Sequence, residues 1–248
     1  MRRILSRMAV AALFLPLAGR LASAAEIHVL CPTALAAGMR AQAKSFTQET
    51  GTVVDFTFAS AVTIPAMLDG NAPADLVILP AADMDDVDQK GALKPGSKAT
   101  LGRVETAFLV KAGAPHPDIS TPDKFRAALL AAGSVAVNDP ASGSAGGVVV
   151  ARMLKDPQFA GAKVKFVNGP GAAIAQGNAE DALQLMSEVN LALGIEVAGT
   201  VPAVWQTHLD FSVAVPAKST ASDTGLAFLR YITRPEAAAV WKSGGLDR

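Results

Sequence analysis

The chain has 248 residues, half of them apolar, with 22 basic and 22 acidic side chains and a single cysteine, Cys31. One cysteine excludes an internal disulfide, so an apolar core must stabilise the fold. The balanced charge disfavours nucleic acids and anionic membranes as partners, because both attract strongly basic surfaces.

The first 24 residues have the pattern of an export signal. Three arginines are followed by a short apolar run and then by small residues: Arg2, Arg3 and Arg7, then residues 8–18, then Ala22-Ser23-Ala24. The run is shorter than the roughly 20 apolar residues that span a bilayer. We therefore predict a signal peptide at residues 1–24 and a periplasmic mature protein. Cleavage would leave 18 basic against 22 acidic residues, a formal charge of about −4.

Strand and helix patterns then alternate along the chain. The predicted elements are strand 26–31, helix 33–46, strand 53–58, helix 63–68, strand 75–79, helix 81–90, strand 100–111, helix 124–132, strand 134–138, a helix from Ala145, strand 164–167, helix 179–187, strand 191–195, a strand near 209–215, and helices 223–232 and 235–242. Such alternation predicts an α/β fold with parallel sheets covered by helices.

The loop at residues 139–147 is the most informative segment. It reads Asp-Pro-Ala-Ser-Gly-Ser-Ala-Gly-Gly and joins a predicted strand to a predicted helix. A helix N-terminus leaves backbone N–H groups unpaired and favours negative charge, so Ser142, Ser144, Ala145 and Gly146 could hold a small anion. The loop lacks lysine, arginine and the nucleotide P-loop pattern. An ordinary helix cap with a tight turn is the alternative.

Two other loops are expected beside it. Parallel sheets bind ligands outside the carboxyl ends of their strands. Pro32-Thr33-Ala34 follows the first predicted strand, and Ser60-Ala61-Val62-Thr63 follows the second. These two loops belong to the first half of the chain and the anion loop to the second, so a shared ligand would lie between two lobes.

Several motifs together resemble one family. They are Phe58-Ala59-Ser60-Ala61-Val62-Thr63, Asn71-Ala72-Pro73-Ala74-Asp75-Leu76, Asp139-Pro140, Leu193-Gly194-Ile195 and Pro235-Glu236-Ala237. In this order they resemble the periplasmic molybdate-binding proteins of ABC transporters. The resemblance implies a bilobal periplasmic-binding-protein fold of type II, with residues 25–105 and 201–248 in lobe 1 and 106–200 in lobe 2. It also implies a monomer without cofactor or metal that delivers its anion to an inner-membrane permease.

The expected ligand site departs from that family's pattern. Where the family has two serines and a tyrosine as donors, this chain has Ala34, Ala61 and Val197. Hydroxyls at Thr33, Ser60 and Thr63 are the candidate substitutes. The ligand is therefore left open between a molybdate-like oxyanion and a small carboxylate.

The middle of the chain resembles a second group. Residues 112–121 and 127–132, with Asp139-Pro140-Ala141-Ser142-Gly143, are similar to a molybdate-binder-like branch that includes aconitate isomerase. An isomerase on this scaffold is the alternative to a binding protein, and it needs a positioned base. Glu196, after Leu193-Gly194-Ile195, is the candidate base. His28 is assigned a structural role and His116 a surface role, and the sequence gives no basis for placing His208 in a cleft.

Overall fold

The computed structural model describes residues 25–248, so the predicted signal peptide lies outside the described residues. The elements in chain order are β1 (Glu26–Pro32), α1 (Ala36–Thr50), β2 (Val53–Ala59), α2 (Ile64–Asp69), β3 (Leu76–Pro80), α3 (Ala81–Gln89), β4 (Ala99–Val104), β5 (Thr106–Lys111), α4 (Pro122–Ala131), β6 (Val135–Asn138), α5 (Ala145–Met153), β7 (Val164–Val167), α6 (Pro170–Ala175), β8 (Asp181–Leu185), β9 (Ile195–Thr200), β10 (Leu209–Ala214), α7 (Ser222–Thr233) and α8 (Ala238–Ser243). In this part of the chain, no helix is long and apolar enough to cross a membrane.

The strands form two five-stranded sheets. The first has the order β2-β1-β3-β10-β4 and the second the order β7-β6-β8-β5-β9. In the first sheet β1 is parallel to β2 and β3, and in the second sheet β6 is parallel to β7 and β8. Strands β10 and β5 run antiparallel to their neighbours. The predicted two-lobed α/β class is confirmed.

Each lobe has its own apolar core. In the first lobe Trp241 is fully buried, lies against Gly38, and donates a 2.8 Å hydrogen bond from its ring nitrogen to the Ile232 carbonyl. In the second lobe Phe125 packs edge-on against Phe108 and Phe159. Each core holds the helices of its lobe against the sheet, and the loops that follow the strands lie at the edge of that core.

The predicted strand at residues 100–111 is two strands. Residues 99–104 form β4 in the first sheet and residues 106–111 form β5 in the second, so Glu105 alone connects them. The segment resembles one long strand because β4 has three buried residues and β5 is buried at every position but its last. An apolar sequence pattern indicates that a strand is buried. It does not show that the chain leaves the first sheet after β4 and enters the second with β5.

The predicted helix at residues 179–187 and the strand at 191–195 are wrong. The first segment is strand β8, buried from Ala182 to Leu185 between β6 and β5. Sheet packing on both faces overrides the helix propensity of these residues. The second is a 3-10 turn ended by Gly194 at φ 75°, after which β9 begins. Helix α6 was not predicted.

Candidate functional site

A cavity of about 520 Å³ lies between the two sheets, at the carboxyl ends of their parallel strands. Most of its lining residues lie at or just after the ends of β1, β2, β6, β7 and β8, and Phe211 comes from β10. They are Pro32, Thr33, Ala34, Ala36, Ala37, Ala59, Ser60, Ala61, Asn138, Ser142, Gly143, Ser144, Ala145, Gly146, Gly169, Gln184, Leu185, Ser187, Glu188 and Phe211. Both lobes therefore contribute to one enclosure, as the loop positions predict.

Two long helices begin at this cavity from opposite lobes. Ala36 starts the 15-residue helix α1, and Ala145 starts the nine-residue helix α5; both residues line the cavity. The first-turn N–H groups of a helix have no partners within the helix, and its dipole is positive at that end. Ala36 N donates to Thr33 O and Gly147 N donates to Ser144 Oγ, so the other first-turn N–H groups are the ones left to face an anion.

Three of the cavity hydroxyls already donate to backbone carbonyls. Thr33 Oγ1 donates to Ala59 O at 3.3 Å, and Ser142 Oγ donates to Asp139 O at 2.6 Å. Ser60 Oγ donates to Gly143 O, a hydrogen bond between the two lobes. These hydroxyls shape the loops, and each would have to rotate to donate to a ligand.

Two other hydroxyls keep a proton to donate. Ser144 Oγ accepts from Gly147 N at 3.1 Å and caps α5, which leaves its own O–H free. Ser187 Oγ is buried and has no hydrogen-bond partner among residues 25–248. A buried polar atom without a partner is uncommon and costs free energy unless a ligand or water pairs with it. Ser187 was not predicted from the sequence.

The cavity also contains a carboxyl group, Glu188. Asn138 Nδ2 donates to Glu188 Oε2 at 3.0 Å, which connects the end of β6 to the turn after β8. Burial raises the pKa of Glu188, and the hydrogen bonds from Asn138 and Gln184 offset only part of that rise. No lysine, arginine or histidine is among the described residues that line the cavity.

Most of the expected binding residues meet at the cavity, but three do not. Thr33, Ala34, Ser60, Ala61, Ser142, Ser144, Ala145 and Gly146 all line it. Thr63, Val197 and Glu196 lie elsewhere. Thr63 Oγ1 donates back to Ser60 O at 2.8 Å, and Val197 pairs with Leu109 inside the second sheet.

Glu196 is held on the outside of the second lobe. His116 Nε2 lies 2.8 Å from its Oε2, and Gly113 N donates to its Oε1 at 3.3 Å. The hydrogen bonds from His116 and Gly113 hold the pKa of Glu196 below its usual range. Glu196 is the second residue of β9, which begins at Ile195. The predicted strand at residues 191–195 would have placed Glu196 just after a strand end instead. Among the described residues that line the cavity, the carboxyl group belongs to Glu188, and Glu196 is not one of them.

The histidines also lie outside the cavity lining. His28 Nδ1 is 3.2 Å from Asp55 Oδ2 at the edge of the first sheet, and Glu26 joins them in a partly exposed group whose ligand atoms lie within 4.8 Å. His208 Nε2 is 3.9 Å from Asp210 Oδ2. In residues 25–248 this edge group is the one arrangement suited to a metal ion, and it is separate from the cavity.

The missed residues have a common cause. Gln184, Ser187 and Glu188 lie near or just after the end of β8, a segment whose sequence pattern predicts a helix. Asn138 is the last residue of a correctly predicted strand, so its position at the carboxyl end was the available signal. A strand at 181–185 would have placed the next three residues at the same edge.

A family model for bacterial extracellular solute-binding proteins matches residues 27–247. The chain belongs to this family. Among curated relatives of this solute-binding protein, an aconitate isomerase from Pseudomonas sp is 31% identical over 228 residues, covering 89% of this chain and 87% of the relative. The molybdate-binding protein ModA of Escherichia coli (strain K12) is 28% identical over 256 residues, covering 98% of each. The predicted resemblance to molybdate-binding proteins is confirmed.

Solved structures confirm the bilobal periplasmic-binding-protein fold of the solute-binding protein. The substrate-binding domain of a molybdenum ABC transporter from Clostridium difficile superposes with a TM-score of 0.75 at 16% identity, covering 91% of this chain and 99% of that chain. The periplasmic molybdate-binding protein of Azotobacter vinelandii superposes with a TM-score of 0.71 at 18% identity, covering 90% and 99%. At these identities the likeness concerns the fold.

Proposed function

We propose that this solute-binding protein is exported to the periplasm, captures a small anion between its lobes and presents it to an ABC transporter permease. The observation that carries the proposal is the convergence of α1 and α5, from different lobes, on one cavity. Contacts to both lobes at once would favour the closed arrangement, which a permease can recognise. The similarity to molybdate-binding proteins supports the transport role.

The donors proposed for the anion are neutral. They are the first-turn N–H groups of α1 and α5 other than those of Ala36 and Gly147, which already have partners, with the hydroxyls of Ser144 and Ser187. Charge-assisted hydrogen bonds from such donors are stronger than neutral ones. Because Ala34 and Ala61 lack hydroxyls, a ligand would depend on backbone donors in the first lobe. A molybdate-like oxyanion and a small carboxylate both present acceptor oxygens that suit this set.

The test is a thermal-shift panel on the purified protein with molybdate, tungstate, sulfate, phosphate, citrate, and cis- and trans-aconitate. A ligand that binds the folded state raises the unfolding temperature by mass action. We expect one chemical class to raise it, and the Ser142→Ala/Ser144→Ala variant to lose most of that shift. If no anion in the panel shifts wild type, the proposed function is wrong.

A second candidate function is isomerisation of a small unsaturated carboxylate. It is favoured by the 31% identity to an aconitate isomerase and by the Glu188 carboxyl in the cavity. A double-bond shift requires removal of a proton from carbon and its return to another carbon, and a carboxylate with a raised pKa suits both steps. Glu188 would accept that proton on one oxygen and give it back from the same group.

Proton NMR separates the two functions. Wild-type protein is incubated with cis-aconitate in D₂O, and the trans isomer and carbon-bound deuterium are followed over time. Conversion by wild type that is lost in Glu188→Gln and retained in Glu196→Gln would establish the isomerase. If cis-aconitate is neither converted nor deuterated at high protein concentration, the isomerase function is excluded and the anion-binding function remains.

A further inference from the structure

Among the described residues lining the cavity, the single titratable side chain has the same sign of charge as the proposed ligand. Glu188 shares an enclosure of about 520 Å³ with that ligand, and no basic side chain in the described lining separates them. Two negative charges a few Å apart in a partly desolvated space repel each other strongly. An anion and an ionised Glu188 are therefore poorly compatible.

The immediate neighbours of this carboxyl are neutral amides. Asn138 donates to Oε2 at 3.0 Å, and its own Oδ1 accepts from Gly169 N at 3.4 Å. Gln184 Nε2 donates to the Glu188 backbone carbonyl at 3.4 Å, while its Oε1 accepts from Gly171 N at 3.0 Å. These bonds hold the carboxyl in place, but they add no positive charge that could balance it.

The elements packed against Met186–Glu188 pair no cation with Glu188. Glu105, whose carbonyl accepts from Met186 N, is acidic, and Arg152 on α5 donates to the Gln206 carbonyl. The turn Thr33–Leu35, which packs on Met186–Glu188, contains no titratable group, and neither does α6. On β8 the charged residue is Asp181, at the opposite end of the strand. Gly245 touches Met186 and Ser187, and beyond it the Asp247 backbone pairs with Arg103 at the edge of the first sheet. Glu188 thus meets the ligand without a counter-ion.

We propose, on the basis of the anion-binding function above, that Glu188 takes up a proton when the anion enters, so that the cavity captures the anion together with one proton. The protonated carboxyl then donates a hydrogen bond to an acceptor oxygen of the ligand. The proton comes from solvent and returns there on release. The ligand class is an anion that presents an unprotonated oxygen towards β8, such as an oxyanion or a carboxylate.

The sign of the pH dependence follows from this coupling. Below the pKa of Glu188 in the free protein, the carboxyl is already protonated and affinity is at its maximum. Above that pKa, proton uptake accompanies binding, and affinity falls about tenfold for each unit of pH. The fall stops when the pH exceeds the pKa of Glu188 in the complex, which the bound anion raises further.

Isothermal titration calorimetry tests this with whichever panel anion gives the largest thermal shift. Titrations between about pH 5 and 9, in pairs of buffers that differ in protonation enthalpy, count the protons taken up. Sulfate carries no proton of its own in this range. For the other anions, including molybdate near pH 5, the known ionisation of the free anion and the count for Glu188→Gln give the protons that belong to the ligand. Glu236→Gln, an exposed glutamate away from the cavity, is the matched control.

We expect wild type and Glu236→Gln to take up close to one proton more than Glu188→Gln at the alkaline end. We also expect Glu188→Gln to bind more tightly than wild type there, and about equally at the acid end. Equal proton counts for wild type and Glu188→Gln would overturn the inference and leave the anion-binding function standing. Absence of binding at every pH would overturn both. The wild-type count, corrected for the known ionisation of the free anion, can also be read alone: a corrected count near zero at the alkaline end would overturn the inference even if Glu188→Gln folds poorly.

Discussion

Ser60 and Gly143 meet across the cavity: the Ser60 hydroxyl, on the loop after β2, donates to the Gly143 carbonyl, on the loop before α5. The first residue belongs to the first lobe and the second to the other. Gly143 has φ 79°, and a Cβ there would lie 2.7 Å from Ser60 Oγ and 2.9 Å from Val62 Cγ2. The two loops can approach this closely because residue 143 has no side chain.

Gly143→Ala is expected to hold the lobes apart and weaken ligand binding at least tenfold. The added methyl group would displace Ser60, and the left-handed backbone would be strained as well. Gly177→Ala is the matched control, because Gly177 has φ 76° with no atom within 4 Å of the added Cβ. Calorimetry gives the affinity, and small-angle X-ray scattering compares the radius of gyration with ligand present. Equal losses in both variants would assign the effect to backbone strain alone.

Ser187→Ala separates binding from stability. The buried hydroxyl has no partner among the described residues, so its removal is expected to leave the unfolding temperature of the free protein unchanged or slightly raised. Ligand affinity is expected to fall about 10- to 150-fold, which corresponds to one lost hydrogen bond to a charged group. Thermal unfolding without ligand and calorimetry with it provide the two readings. An affinity equal to that of wild type would remove Ser187 from the donor set.

Ser144→Ala is expected to lower both stability and affinity. Ser144 caps α5 through the Gly147 N–H, and loss of a helix cap costs about 1 kcal/mol. Thr121→Ala is the matched control, since Thr121 caps α4 through the Lys124 N–H far from the cavity lining. Both variants should unfold at similar lower temperatures, and only Ser144→Ala should lose affinity. A similar affinity loss in Thr121→Ala would show that general destabilisation explains the effect.

Glu188→Gln is expected to stabilise the free protein at neutral and alkaline pH. Burial raises the pKa of Glu188 in the folded state above its unfolded value, so wild type loses stability as the pH rises through the folded pKa. The neutral amide has no such loss. Unfolding temperatures measured at about pH 4 should coincide, and by pH 8 the variant should be higher by about 2–4 °C for each kcal/mol. A constant difference at all pH values would contradict this.

Asp75→Asn is expected to destabilise the protein at neutral pH. Asp75 is 2% exposed and accepts hydrogen bonds from His28 N, Ser219 Oγ and Ala221 N at 2.7–3.0 Å. Burial opposes ionisation, but these bonds outweigh it and lower the pKa of Asp75. Its stabilisation is present above the unfolded pKa and is lost as the pH falls through the folded one.

The cost of that substitution should be about 1–3 kcal/mol at pH 7 and should shrink below about pH 4. Chemical denaturation at several pH values measures it, with exposed Asp69→Asn as the control. A cost that does not change with pH would indicate lost packing in place of lost ionic hydrogen bonds. The Asp75 carboxylate also explains why the Ala-Pro-Ala-Asp motif is informative: it ties the start of β3 to the segment before α7.

The sequence predicts those parts of the cavity whose structure depends on interactions between residues close together in the chain. The loop at residues 139–147 could be predicted from its own sequence, because Asp139, Ser142 and Ser144 form their turn and cap hydrogen bonds with residues two or three positions away. Strands β1 and β2 have apolar patterns and clear ends, so the loops that follow them could be placed. These features depend on residues within a few positions of one another, which is the range that sequence periodicity reports.

The second half of the cavity could not be predicted because β8 is defined by distant partners. Leu183 pairs with Val137 on one side and with Phe108 on the other, and its own sequence is compatible with a helix. Because the sequence pattern of β8 predicts a helix, it gives no reason to place Ser187 and Glu188 after the end of a strand. The hydrogen bond between Asn138 and Glu188 spans 50 residues, and nothing local indicates it.

Glu105, the residue between β4 and β5, sets the mechanics of the two lobes. One connection has the length of a single residue, and the return between β9 and β10 covers residues 201–208. Two short connections side by side would permit bending about one axis and resist twisting. We therefore expect the lobes to open by one bending motion, in which the loop bearing Ser60 moves away from the loop bearing Gly143. A solute would then reach the cavity through the gap that opens between the loops bearing Ser60 and Gly143.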